Sequence, residues 1–141
     1  MTAPHPRPSL SVVDLNDPAQ YDPHAYGSSV ASTLSAHTWR WRDEYELQDL
    51  VADQLTAAGF EVQREVRLSA RDRIDVLVDG DVGVEVKVAG SIAAVHRQLL
   101  RYAEHETIRS LVLFTTKALH RRLHLMPVGD VLVEVVQPRW V

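Results

Sequence analysis

Hydrophobic and polar positions change their period several times along this chain, and each change marks an element. Over residues 43–58, Leu47, Leu50, Val51, Leu55 and Ala58 recur at helical spacing, with Gly59 placed to end the helix. Residues 60–68 alternate instead, which predicts a strand with Phe60, Val62, Val66 and Leu68 on one face and polar residues mostly on the other. Residues 73–78 and 82–89 are valine-rich strands joined by Asp79-Gly80-Asp81, a hairpin signal because Gly80 takes a positive φ without a steric penalty. Helical spacing returns after Ser91, a good N-cap, with Ile92, Val95, Leu99, Tyr102 and Ala103 as the inner stripe of a helix through Glu106. Beyond it the pattern predicts a fully buried strand at 111–115, a basic helical turn or two at 118–125 and a last strand at 131–136.

Residues 1–38 hold Pro4, Pro6, Pro8, Pro18 and Pro23 and show no sustained period, so they read as an N-terminal arm, partly disordered. The rest, 39–141, reads as a single domain. Helix, three strands, helix, strand is the order of an α/β fold. An antiparallel meander and a right-handed crossover helix would build a mixed central sheet flanked by helices.

Composition agrees with one domain: 141 residues, 45% hydrophobic and 24% charged, suffice for a real core. The absence of cysteine removes disulfides and thiolate zinc sites and suits a reducing compartment. With no apolar h-region in the first ten residues and no run of membrane-spanning length, the expectation is a soluble, cytoplasmic protein without a membrane partner. A formal net charge of -4 argues against binding nucleic acid by bulk electrostatics alone. The charge is uneven, however: from Lys87 to Leu125, seven Lys and Arg stand against two Glu. A basic stretch therefore follows the acidic hairpin.

That hairpin carries the candidate chemistry. Asp75, Glu85 and Lys87 stand in runs that otherwise read as buried strand, where charge is unfavourable unless offset. Side-chain alternation puts Glu85 and Lys87 on one face and Val84, Val86 and Val88 on the other. Asp75 meets Glu85 across the hairpin only if residue 78 pairs with 82, which needs a three-residue loop at 79–81 or a bulge. A two-residue loop would set Asp75 opposite Val86. Paired carboxylates could hold Mg²⁺ or Mn²⁺ beside a phosphate, with the lysine ammonium orienting water or offsetting charge. Taken alone, the same residues also fit an exposed strand face with a weak Glu85–Lys87 surface pair.

Ile74-Asp75 followed by Glu85-Val86-Lys87, set on a hairpin in this element order, resembles the PD-(D/E)xK nuclease superfamily. Ile74 stands where the family usually has proline. Glu44 in Glu44-Tyr45-Glu46-Leu47-Gln48 is similar to the family's first-helix glutamate, and lies nearer the apolar stripe than Glu46. Gln98-Leu99-Leu100-Arg101-Tyr102 resembles the Q-x-x-x-Y motif of RecB-type domains, and the chain is closest in motif to these and to small stand-alone members. The resemblance spans about residues 43–117 and implies a restriction-endonuclease-like αβββαβ core. It implies a Mg²⁺- or Mn²⁺-dependent DNA nuclease. Asp75, Glu85, the Val86 carbonyl and Glu44 would be the metal ligands, Lys87 would position the nucleophile, and Gln98 would support the site. Arg97, Arg101, Tyr102, Lys117, Arg121 and Arg122 form the expected DNA-binding face. Specificity would come from a homodimer or a larger complex, with the arm or the last strand as the dimer contact.

Three other readings stand beside this one: a junction-resolving endonuclease, a catalytically inactive nuclease-fold module that binds nucleic acid or protein, and an unrelated α/β protein. The last predicts that Asp75 and Glu85 lie far apart. His120 and His124 have a zinc-compatible spacing but no evident third ligand, so a basic, phosphate-facing or solvated turn is the preferred reading. His96 is expected as a hydrogen-bonded core-edge residue. Trp39 and Trp41, flanking Arg40, are expected to anchor the arm rather than to stack on bases.

Overall fold

Runs of β-branched residues become the strands of a mixed sheet, and the helical stripes cover its two faces. The computed structural model describes residues 23–140. In chain order these form α1 (Pro23–Ser35), β1 (Thr38–Trp39), α2 (Glu44–Ala57), β2 (Val62–Arg67), β3 (Arg73–Val78) and β4 (Val82–Lys87). There follow α3 (Ile92–Ala103), β5 (Ser110–Thr115), a 3₁₀ helix (Ala118–Leu125), β6 (Leu132–Val136) and β7 (Arg139–Trp140). The five-stranded sheet has the order β2-β3-β4-β5-β6, and β1 and β7 make a small parallel pair. β2, β3 and β4 form the antiparallel meander, while β5 and β6 lie parallel to β4. No described helix is long and apolar enough to cross a membrane.

Local chemistry explains the helix starts. The Asp43 side chain accepts the Glu46 N–H at 2.8 Å to open α2, and Ser91 Oγ accepts the Ala94 N–H at 3.1 Å to open α3. Gly59, with φ 97°, follows α2 as expected, whereas α3 stops at Ala103 rather than continuing to Glu106. One face of the sheet, with Val76, Val84, Val86 and Phe114, packs under α1 and α2. The other, with Leu77, Leu111 and Leu113, packs under Val95, Leu99 and Tyr102 of α3 and Leu123 of the 3₁₀ helix.

Two expectations are corrected. Part of the predicted arm is helical: α1 places Tyr26, Val30, Ala31 and Leu34 in the core, while residues 1–22 lie outside the described part. Most of its polar positions are Ser and Thr, weak helix formers, so packing rather than propensity holds it. Gly27 allows the approach, since a Cβ there would stand 2.0 Å from Ser110 Oγ. Trp39 then closes the helix end by donating Nε1–H to the Leu34 carbonyl at 3.1 Å, which matches the anchoring expected of it.

The second correction concerns β2, which does not keep one apolar face. Phe60 and Val62 pack on the α1–α2 side, but Val66 and Leu68 pack on the α3 side. Its partner changes sides at the same level, since Val76 belongs to the first cluster and Ile74 to the second. Between the pairs Arg64↔Val76 and Val66↔Ile74 stand Glu65, with φ 50°, and Asp75. A left-handed residue turns the strand over, at a strain on the order of 1 kcal/mol or more. Gly83 makes room for the crossing: a Cβ there would be 2.3 Å from Ile74 Cδ1. Irregular backbone is thereby concentrated at Asp75.

Candidate active site

The hairpin register is the one that brings the two carboxylates together. Val78 pairs with Val82, Leu77 with Gly83 and Val76 with Val84, so continuing the count sets Asp75 across from Glu85. The loop is Asp79-Gly80-Asp81, with φ 49° at Asp79 and 80° at Gly80. Past Val76↔Val84 the two strands no longer pair with each other, although β3 continues along β2 to Arg73 and β4 along β5 to Lys87. Side chains take over in the opening: Asp75 Oδ2 accepts the Val86 N–H at 2.9 Å, and Glu85 Oε1 lies 3.4 Å from the Asp75 N–H.

Glu85 is 1% exposed, on the face covered by α3. Its Oε2 lies 3.0 Å from Tyr102 Oη and 3.4 Å from Lys87 Nζ. Burial, followed by the charge of Asp75 and the hydrogen bond between the two, pushes the Glu85 carboxyl up to about 8, against the opposing pull of Lys87 and Tyr102. Near neutrality the pair therefore holds a proton that two separated carboxylates would release.

Tyr102, also 1% exposed, is the far wall of the site. Its hydroxyl accepts from Gln98 Nε2 at 2.8 Å and faces the Arg73 carbonyl as well as Glu85, both at 3.0 Å. Burial and then the Glu85 charge raise its phenol, so it remains a protonated donor. One hydroxyl proton serves one acceptor at a time, and a protonated Glu85 can donate in return. The Gln-x-x-x-Tyr spacing thus builds a relay from α3 to the carboxylate. The expectation that Tyr102 lies on a DNA-binding face is corrected, because its ring is in the core and its hydroxyl is occupied.

Other predicted residues divide plainly. Glu44 is half-buried in the first turn of α2, the helix on the opposite face of the sheet from α3. Among the described residues no three His, Asp or Glu side chains converge as a metal-binding group, so Glu44 does not complete a trio with Asp75 and Glu85. Arg97, Lys117, Arg121 and Arg122 are exposed, and Arg101 is half-buried with its Nε–H donated to Asp72 Oδ1 at 3.0 Å. His96 is a core-edge residue bonded to the Pro127 carbonyl at 2.8 Å, as expected.

His120 is not on a solvated turn. It is buried, with Nδ1 2.7 Å from Thr115 Oγ1 and Nε2 2.7 Å from the Gly90 carbonyl, so neither nitrogen is open to zinc. Nε2 must be the donor to the carbonyl, which leaves Nδ1 to accept from the threonine. Through these bonds the 3₁₀ helix is pinned to the turn that follows β4. The 69–72 turn is a feature that sequence periodicity missed. Ser69 Oγ accepts the N–H groups of Arg71 and Asp72, and Asp72, though buried, holds Arg101 and, at 3.2 Å, His105 Nε2. The Ser69-x-x-Asp72 spacing is the local signal that could have marked it.

Fold and site together define an α/β protein with a five-stranded mixed sheet flanked by helices, its paired carboxylates and lysine gathered where two central strands part. No protein-family model matches the chain, and no curated protein and no solved structure is significantly similar to it.

Proposed function

We propose that the chain is a divalent-metal-dependent nuclease of the PD-(D/E)xK kind, with a restriction-endonuclease-like core, that hydrolyses phosphodiester bonds in DNA. The observation that carries this reading is the juxtaposition of Asp75 and Glu85 with Lys87 in the opening between β3 and β4. A carboxyl raised to about 8 by burial and then by the neighbouring Asp75 charge belongs to a site that a dication relieves.

Asp75, Glu85 and the Val86 carbonyl would hold Mg²⁺ or Mn²⁺. Such an ion keeps several waters and takes phosphate oxygens, so one or two carboxylates suffice. The part proposed for Glu44 is contact through water. When bound, the metal polarises the phosphate and makes water a better nucleophile. Lys87, next to Glu85, orients that water and offsets charge on the phosphorane. Asp75 is held by the Val86 N–H and Glu85 by Tyr102, with Gln98 behind it. The exposed Arg97, Lys117, Arg121 and Arg122 supply cations for the phosphate backbone.

The test is cleavage of single-stranded, duplex and branched DNA in Mg²⁺ and in EDTA. Asp75→Ala and Lys87→Ala are each expected to lose on the order of 10²-fold or more in rate. Equal cleavage by wild type and both variants overturns the assignment. The second reading is an inactive module that binds DNA through the same cations. It predicts salt-sensitive DNA binding without divalent-ion binding.

A further inference from the structure

A cleft of about 520 Å³ lies between the 69–72 turn and α3, and three arginines line it against two carboxylates. Arg71, Arg97, Arg101 and His105 line it, against Asp72 and Glu104. The cleft and the candidate active site share a wall. Along α3, Gln98 and Tyr102 serve Glu85, while Arg97 and Arg101, one residue before each, serve the cleft. On the other side, Asp72 is bonded directly to Arg73, whose carbonyl lies 3.0 Å from the Tyr102 hydroxyl.

We propose that this cleft is a second phosphate-binding site, which holds a phosphate group of the nucleic acid next to the one presented to Asp75 and Glu85. The inference rests on the nuclease reading for its substrate and gives Arg97, already assigned to the phosphate backbone, a definite partner set with Arg71 and Arg101. Asp72 accepts the Arg101 Nε–H at 3.0 Å, so the guanidinium is held by one edge and its remaining N–H groups are left for a ligand. Burial alone would raise the Asp72 carboxyl, but hydrogen bonds from His105 and Arg101 outweigh it and hold the group low, so it stays an anion that anchors the arginine. Arg71 and Arg97 are exposed and add unanchored forks. A planar guanidinium matches a phosphate with two parallel hydrogen bonds, so three arginines around one cleft favour a tetrahedral phosphate over a simple carboxylate.

Two sources present this chemistry, a terminal phosphate monoester and an internal phosphodiester, and the experiment separates them. First, inorganic phosphate is titrated into the whole protein while the arginine side-chain ¹⁵N resonances are followed. The Arg97 and Arg101 Nε signals are expected to shift and saturate, and Arg97→Ala is expected to weaken phosphate about tenfold. Second, cleavage is compared on oligonucleotides with 5′-phosphate or 5′-hydroxyl ends. Arg97→Ala is expected to raise KM about tenfold with its effect on KM and not kcat. A rise confined to the 5′-phosphorylated substrate identifies a terminal phosphate, and a rise on both identifies an internal one. If phosphate moves neither arginine signal and KM is unchanged, the proposal is wrong. If wild type cleaves nothing, the nuclease reading fails, while the phosphate titration still decides whether the cleft binds phosphate.

Discussion

Glu85 is a buried carboxyl whose charged form the surroundings oppose, and that makes a pH prediction possible. Its folded value is pushed up to about 8 from an ordinary 4.5, by burial first and Asp75 second. The folded state thus binds this proton more tightly than the unfolded chain. Its stabilising contribution is complete below the unfolded value and is lost as pH rises through the folded one. In EDTA, the thermal midpoint of wild type is expected to fall as pH rises from the ordinary 4.5 to about 8, and Glu85→Gln to flatten that fall. An unchanged slope in the variant would show that another group is responsible. At this scale much of the site was legible. Asp75, Glu85 and Lys87 were visible as charges in valine-rich strands, while their meeting hung on a three-residue loop at 79–81 that the structure supplies. Tyr102 shows the limit: spacing put it on the inner stripe and beside Gln98, but the meeting of its hydroxyl with Glu85, and so its role as a holder of that carboxyl, depends on how α3 docks on the sheet.

Elements with a strong apolar period were readable, and those held by tertiary contacts were not. α2, α3, β4 and β5 follow the periodicity, because their buried faces are formed largely by Leu and Val. α1 escaped notice because Gly27, Ser28, Ser29, Ser32 and Ser35 dilute its stripe of Tyr26, Val30 and Leu34. Those small residues are the means of its packing: Gly27 lies against Ser110 of β5, and Ser28 Oγ donates to Glu134 Oε1 at 2.9 Å on β6. Gly27→Ala is therefore expected to push α1 from the sheet and destabilise the protein by about 1–3 kcal/mol, a loss readable by urea unfolding. An unaltered midpoint would contradict the close contact. The exchange of faces at Glu65 and Asp75 was equally hidden. Strand alternation assumes extended backbone, and a single left-handed residue breaks it without a glycine to announce it.

Across the whole molecule, the strands part where the sheet changes from antiparallel to parallel pairing around β4, and the proposed metal site occupies that opening. α3 borders it with a polar edge, and the exposed cations of the 3₁₀ helix follow β5, whose end pairs with Lys87. The central claim is that this centre holds a divalent cation, and the most direct measurement is anomalous diffraction from a crystal of the full chain soaked in Mn²⁺. A Mn²⁺ peak is expected between the Asp75 and Glu85 carboxylates and is expected to disappear in Asp75→Ala. Occupied Mn²⁺ sites elsewhere, with none between these two residues, would contradict it.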